Sequence, residues 1–180
     1  MKVLILLADG FEQCEALVFQ DYMRRAGVET SLVSISHSLI VTSSSHVKVE
    51  ANYLLDGFDY SKYDLVYLPG GKVGVDNLDA SNKVKEVINY FVKENKYIAA
   101  ICAAPSILGK MGLLDHKNFT CFPGFEYGKG IKFKGGAIQD GHLFTGRSMY
   151  FTYELAELIV KTLLGENVVH QVDFGTKGIE

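Results

Sequence analysis

Three short runs restrict the architecture open to this chain: "VLILLAD" (Val3 to Asp9), "DLVYLPGG" (Asp64 to Gly71) and "YIAAI" (Tyr97 to Ile101). Each is continuously apolar rather than alternating, which in so short a segment marks a strand covered on both faces. Longer segments of helical period separate them. Phe11 to Arg25 offers Leu17, Phe19, Tyr22 and Met23 to one helix face and closes at Gly27, a C-terminal glycine. Asn82 to Lys96 aligns Val84, Val87, Ile88 and Phe91, and Tyr150 to Leu164 reads as a last amphipathic helix.

"TSLVSI" (Thr30 to Ile35) gives a second strand, and "NFTCF", "KFKGGAI" and "HLFTG" give later ones. Leu39 to Leu54 breaks into alternating pieces around "SSSH", as a hairpin or an edge excursion at the sheet margin does. The tail from Gly165 has no decided pattern. Strand and helix alternation of this kind predicts an α/β fold of three layers, a mostly parallel sheet with helices on both faces. The 180 residues show no repeat or linker and suit one domain, 1–180.

Composition narrows the partners. Hydrophobic residues are 48% and charged residues 22%, with a formal charge of -3 and no basic run, so nothing calls for nucleic acid or an anionic membrane. No apolar run reaches the roughly 18 residues that span a bilayer. "MKVLILLADGFEQCE" meets Asp9, Glu12 and Glu15 at once and reads as a first strand rather than a leader. Cys14, Cys102 and Cys121 form no CxxC pair and suit reduced thiols in the cytoplasm. The histidines at 37, 46, 116, 142 and 170 stand at no metal-ligand spacing, so no metal is expected.

"YIAAICAAPSIL" places Cys102 at the seam between a buried strand and a helix. In a parallel sheet, ligands bind where the strands' carboxyl ends meet the following helices. "ADGFEQCE", "PGGKVG" and "CAAP" all follow strands and should converge there. At such an elbow the following helix would hold the thiol pKa below about 8.5; a small core hydrophobe is the plain alternative. A neutral carboxyl beside the cysteine could donate to its sulfur and act as general acid or base, a role open to Glu12 or Glu15. Gly70 and Gly71 could point backbone N–H groups at a developing oxyanion, although turns need glycine anyway.

"AICAAP", "LPGGKVGVDNL" and "LADGFEQCEAL", with "MRRAGV" and "GRSMYFTYELA", resemble the DJ-1/ThiJ/PfpI superfamily, the DJ-1-like branch most closely, over nearly the whole chain. The resemblance implies a homodimeric flavodoxin-like α/β sandwich without a cofactor. It matches Cys102 to the reactive cysteine and Glu15 to its partner. The amides of Gly71 and Ala103 match the donors around the sulfur, and Arg25 an arginine near the dimer interface and pocket.

The departures matter too. Ala103 stands where protease-like members carry histidine, which takes weight from a cysteine protease. Phe122 in "TCFPG" stands where many relatives have a histidine, and the serines at 43–45 replace a second pocket arginine, so anion binding is expected to be weaker. The activity implied is glyoxalase III-like or deglycase-like chemistry on small α-oxoaldehydes such as methylglyoxal, a small carbonyl substrate. The alternative is an oxidative-stress sensor or redox-regulated chaperone through Cys102.

Overall fold

The structure is a computed structural model and describes residues 1–178. In chain order the elements are β1 (Lys2–Leu7), α1 (Gln13–Arg25), β2 (Glu29–Ser34), β3 (Ile40–Thr42), β4 (Lys48–Glu50), β5 (Tyr53–Leu54) and β6 (Leu65–Leu68). There follow α2 (Lys72–Ala80), α3 (Asn82–Lys93), β7 (Tyr97–Ile101), α4 (Pro105–Lys110), β8 (Asn118–Phe119) and β9 (Ile131–Lys132). The last are β10 (Ala137–Asp140), β11 (Leu143–Gly146), α5 (Thr152–Leu164) and α6 (Glu166–Lys177).

One seven-stranded sheet runs in the order β10-β11-β7-β6-β1-β2-β5. All of its pairings are parallel except that of β10 with β11. The continuous apolar runs are its centre because period-2 geometry sends alternate residues to opposite layers, and both layers are packed. Val3, Ile5 and Leu7 join Phe19, Met23, Leu155, Ile159 and Val172 on one side. Leu4 and Leu6 join Val75, Val87, Phe91 and Ile107 on the other.

Gly27 ends α1 as the pattern requires. Its φ of 76° is left-handed, and the Gly27 and Val28 N–H groups return to the carbonyls of Arg24 and Met23, both at 3.0 Å. The 39–54 stretch divides between two outcomes. β3 and β4 form a separate antiparallel hairpin, while β5 joins the main sheet as its edge.

Three expectations change. "PGGKVG" continues into α2 instead of ending as a turn, since Gly74, a poor helix former, is there to let the helix approach the 10–11 backbone. "NFTCF" is a strand only at Asn118–Phe119, because Thr120 N–H turns to the Thr145 hydroxyl (2.9 Å) instead of a neighbouring strand. The tail forms α6, which packs Val169 and Val172 against the core. No helix among the described residues is long and apolar enough to cross a membrane.

Candidate active site

β1, β6 and β7 end side by side, so the loops that follow them meet. Cys102 is the first residue after β7, and its φ of 62° is a left-handed conformation that costs a non-glycine residue on the order of 1–3 kcal/mol. Two backbone contacts hold the elbow in that shape. The Cys102 N–H donates to the Gly146 carbonyl at 2.9 Å, and the Phe122 N–H donates to the Cys102 carbonyl at 2.8 Å. Cys102 thereby sits at the carboxyl end of β7, between the strand and α4.

Glu15 arrives from the first turn of α1 and is fully buried. The choice between Glu12 and Glu15 is made by the helix start. Glu12 is the N-cap, its Oε2 accepting the Glu15 N–H at 2.7 Å, which leaves the Glu15 side chain as the one turned inward. Tyr67 on β6 secures it from below: its hydroxyl donates to the Glu15 carbonyl at 2.9 Å, and its ring stacks on Phe19 with centroids 3.8 Å apart.

Gly70 differs from expectation. Its N–H donates to Glu15 Oε2 at 2.7 Å and is therefore spent on the carboxyl rather than free for an oxyanion. A side chain at position 70 would collide with that same carboxylate oxygen and with Cys102 Cβ (2.6 Å), so the missing Cβ is what lets the two groups approach. The Gly71 and Ala103 N–H groups are the ones that act on the sulfur.

Burial, opposed by the Gly70 hydrogen bond, raises the Glu15 pKa to about 7. Burial, then the adjacent Glu15 charge, pushes the Cys102 thiol up to about 12, against the pull of the Ala103 and Gly71 amides. This corrects the expectation of a depressed thiol pKa. α4 is only six residues long and begins three residues beyond the sulfur, so its dipole is too small to offset burial beside a carboxylate. Glu15 Oε1 is buried without a partner of standard hydrogen-bond geometry, yet the thiol is near enough to the carboxyl to favour the carboxylate and disfavour the thiolate. The two groups titrate as a pair. One proton leaves near pH 7, the second leaves only near pH 12, and between them the pair carries a single negative charge held mainly on the Glu15 carboxyl.

The remaining expected residues lie elsewhere. Arg25 pairs with Asp21 at 2.7 Å at the exposed end of α1, about 15 Å along the helix axis from Glu15, and so is no part of its own chain's pocket. Phe122 contributes its backbone to the elbow, while its ring is 45% exposed and edges against Phe125. Cys121 is buried, and burial raises its pKa to about 11, as suits a packing thiol. Cys14 is half-buried beside Glu12 with its pKa raised, chiefly by burial. No cluster of three or more His, Cys, Asp or Glu side chains able to hold a metal occurs among the described residues.

The resemblance put the serines at 43–45 at the pocket, but not the way their hairpin docks. The β3–β4 hairpin docks on the loop after β1: Asp9 Oδ1 accepts the Thr42 N–H at 2.7 Å, the Gly10 N–H donates to the Thr42 carbonyl at 2.7 Å, and the Ser44 N–H donates to the Phe11 carbonyl at 2.8 Å. The serine run therefore lies against the loop that leads to Glu15.

The model of the DJ-1/PfpI family matches residues 1–162. The chain belongs to the DJ-1/PfpI family. Among curated relatives, a Parkinson disease protein 7 homolog from Danio rerio is 34% identical over 177 residues, covering 95% of this chain and 94% of that protein. Protein dj-1beta from Drosophila melanogaster is 30% identical over 178 residues, covering 97% and 95%. The crystal structure of Drosophila DJ-1beta superposes with a TM-score of 0.89 over 97% of this chain and 96% of that one, at 30% identity. An oxidized Toxoplasma gondii DJ-1 gives 0.92 over 97% and 96% at 26% identity. The DJ-1/PfpI fold is thus shared from end to end, and the elbow cysteine sits within the matched region.

Proposed function

We propose that this DJ-1/PfpI protein is a cysteine-dependent enzyme of the glyoxalase III or deglycase type, needing no cofactor and acting on small α-oxoaldehydes such as methylglyoxal or their adducts. The observation that carries the reading is the pairing of Cys102 with a buried Glu15 whose carboxyl titrates near 7. A group poised near neutrality can both take and return a proton.

In the proposed sequence Glu15 accepts the thiol proton as the Cys102 sulfur bonds to the aldehyde carbon. The proton passes to the former aldehyde oxygen, giving a hemithioacetal and restoring the carboxylate. Glu15 then removes the hydrogen from that carbon and returns it to the adjacent carbon, producing the thioester of a 2-hydroxy acid. Water cleaves the thioester, releasing the acid and regenerating the thiol. The net change is addition of one water to the oxoaldehyde, with no outside electron donor or acceptor. The Gly71 and Ala103 amides are the proposed donors to the oxygen that gains charge. With Phe122 in place of a histidine, Glu15 supplies the proton transfers alone. The reading places the whole chain, 1–180, in one domain working as a homodimer in a reducing cytoplasm.

The test is production of lactate from methylglyoxal without glutathione, by wild type beside Cys102→Ser. Turnover in the wild type and loss by at least about a hundredfold in the variant is expected, as removal of a nucleophile demands. No turnover in wild type overturns the reading.

A second reading follows from the amides that face the sulfur, and the oxidized Toxoplasma gondii DJ-1 supports it. Two molecules of peroxide would each deliver one oxygen to Cys102, yielding a sulfinate and two waters, and the protein would act as an oxidative-stress sensor or redox-regulated chaperone. Mass spectrometry after peroxide treatment distinguishes it: a gain of two oxygens confined to Cys102 is expected.

A further inference from the structure

Away from the elbow, three helices enclose polar atoms that the fold leaves unpaired. Tyr22 on α1, Tyr153 and Glu157 on α5, and Asp173, Thr176 and Lys177 on α6 line a cavity of about 340 Å³. Helical spacing puts each contribution on one face: Glu157 lies four residues after Tyr153, and Thr176 and Lys177 lie three and four after Asp173. Tyr22 is seven residues beyond Glu15. That separation is about 10 Å along the axis of α1, so the cavity is distinct from the pairing of Cys102 with Glu15.

Tyr22 and Asp173 are only 2% and 9% exposed, yet the Tyr22 hydroxyl and Asp173 Oδ1 are both buried without a hydrogen-bond partner. Burial, then the charges of Asp173 and Glu157, raises the Tyr22 pKa, so Asp173 is near enough to help hold the phenol proton without closing a bond of ordinary geometry on it. Buried polar atoms in folded proteins nearly always have a partner, and two orphans on the wall of one cavity mark a place for an added group. Thr176 does not supply that group, because its hydroxyl donates to the Val172 carbonyl at 2.9 Å.

Charge decides the kind of group. Lys177 lies 2.6 Å from Asp173 Oδ2 and 3.8 Å from Glu157, so one ammonium serves two carboxylates and one negative charge is left over. The neighbouring cations Arg25 and Lys161 are already matched, by Asp21 and Glu166. A carboxylate oxygen only accepts, so whatever satisfies Asp173 Oδ1 must donate. The Tyr22 and Tyr153 rings meet edge to face with centroids 6.2 Å apart. Such rings offer apolar surface to a carbon chain and a negative face to a cation.

We propose that this cavity binds a small organic cation, a primary ammonium on a short alkyl chain. The ammonium donates to Asp173 Oδ1 and to the Tyr22 oxygen, and the chain lies along the two rings. The site stands independently of any reaction at Cys102.

The experiment is calorimetric titration at neutral pH with n-butylamine, which is charged there, and with 1-butanol, which carries a neutral hydroxyl on the same chain. The wild type is compared with Tyr22→Phe, Asp173→Asn and Glu50→Gln, the last an exposed carboxylate on β4 that controls for net charge. The wild type should bind butylamine at least about tenfold more tightly than butanol, and Asp173→Asn should weaken butylamine by a similar factor, as loss of a charged hydrogen bond does. Tyr22→Phe should weaken it about threefold, as loss of a neutral hydrogen bond does. Glu50→Gln should change it by less than about 1.3-fold, since a distant exposed charge is screened. Tyr22→Phe removes one oxygen and no charge, so it decides the matter if circular dichroism shows Asp173→Asn to be unfolded. No binding of butylamine by the wild type, equal affinity for the two probes, unchanged affinity in Tyr22→Phe or in a folded Asp173→Asn, or an equal loss in Glu50→Gln overturns the proposal.

Discussion

Cys102 and Glu15 are a coupled titrating pair. Burial opposes charge on both, and each charge opposes the other, so the pair ionises once near pH 7 and again only near pH 12. The pH profile of Cys102 alkylation by iodoacetamide should accordingly show its main rise near 12 in the wild type, with only a small step near 7 where Glu15 ionises. Glu15→Gln cannot hold the exchangeable proton and places no charge beside the sulfur. That variant should show a single rise, centred below 12, and superimposable profiles would show that the two groups are uncoupled. The sequence led to both residues, through the position of Cys102 at a strand end and the resemblance that favoured Glu15. It misjudged the thiol, because a helix after the cysteine was legible while the depth of burial was not. Gly70 was likewise legible as a turn glycine, but the acceptor of its N–H lies 55 residues away.

At the scale of elements, the site depends on how closely α2 packs against the loop after β1. Gly74 makes that approach possible: a Cβ there would lie 2.7 Å from the Phe11 backbone nitrogen and 2.8 Å from its Cα. Gly74→Ala gains helix propensity but must displace backbone, and the net effect should be a loss of about 1–3 kcal/mol of stability, the usual cost of overpacking, measured by urea denaturation. Because the displaced loop leads into α1, Cys102 alkylation should change as well. A variant as stable as wild type would show that the approach is loose. The strands and helices with strong periodicity, β1, β6, β7, α1 and α3, were all legible. α2 was obscured by three glycines in and before it, and α6 by a polar composition that only contact with the rest of the fold organises. β8 proved shorter than its apolar run because the Thr145 hydroxyl competes for its backbone.

For the whole molecule, the buried carboxyl couples stability to pH. Folded Glu15 keeps its proton up to about pH 7, whereas an exposed glutamate releases it near 4.5. Between those values the folded state holds more protons than the unfolded chain, so this contribution is fully present below pH 4.5 and is lost as pH rises through 7. Its size is on the order of 3 kcal/mol. Urea denaturation at pH 5 and pH 8 should show the wild type losing stability relative to Glu15→Gln at the higher pH. Parallel behaviour of the two proteins would mean that Glu15 is already ionised in the fold at low pH. By itself the sequence determined the parallel sheet, its two covered faces and the elbow that carries a cysteine, because continuous apolar runs, helical periods and punctuating glycines are local properties. The tertiary structure alone decided that Gly70 serves the carboxyl and that Glu12 caps while Glu15 turns inward. Those outcomes depend on distances between segments far apart in the chain, and only the packed sheet sets such distances.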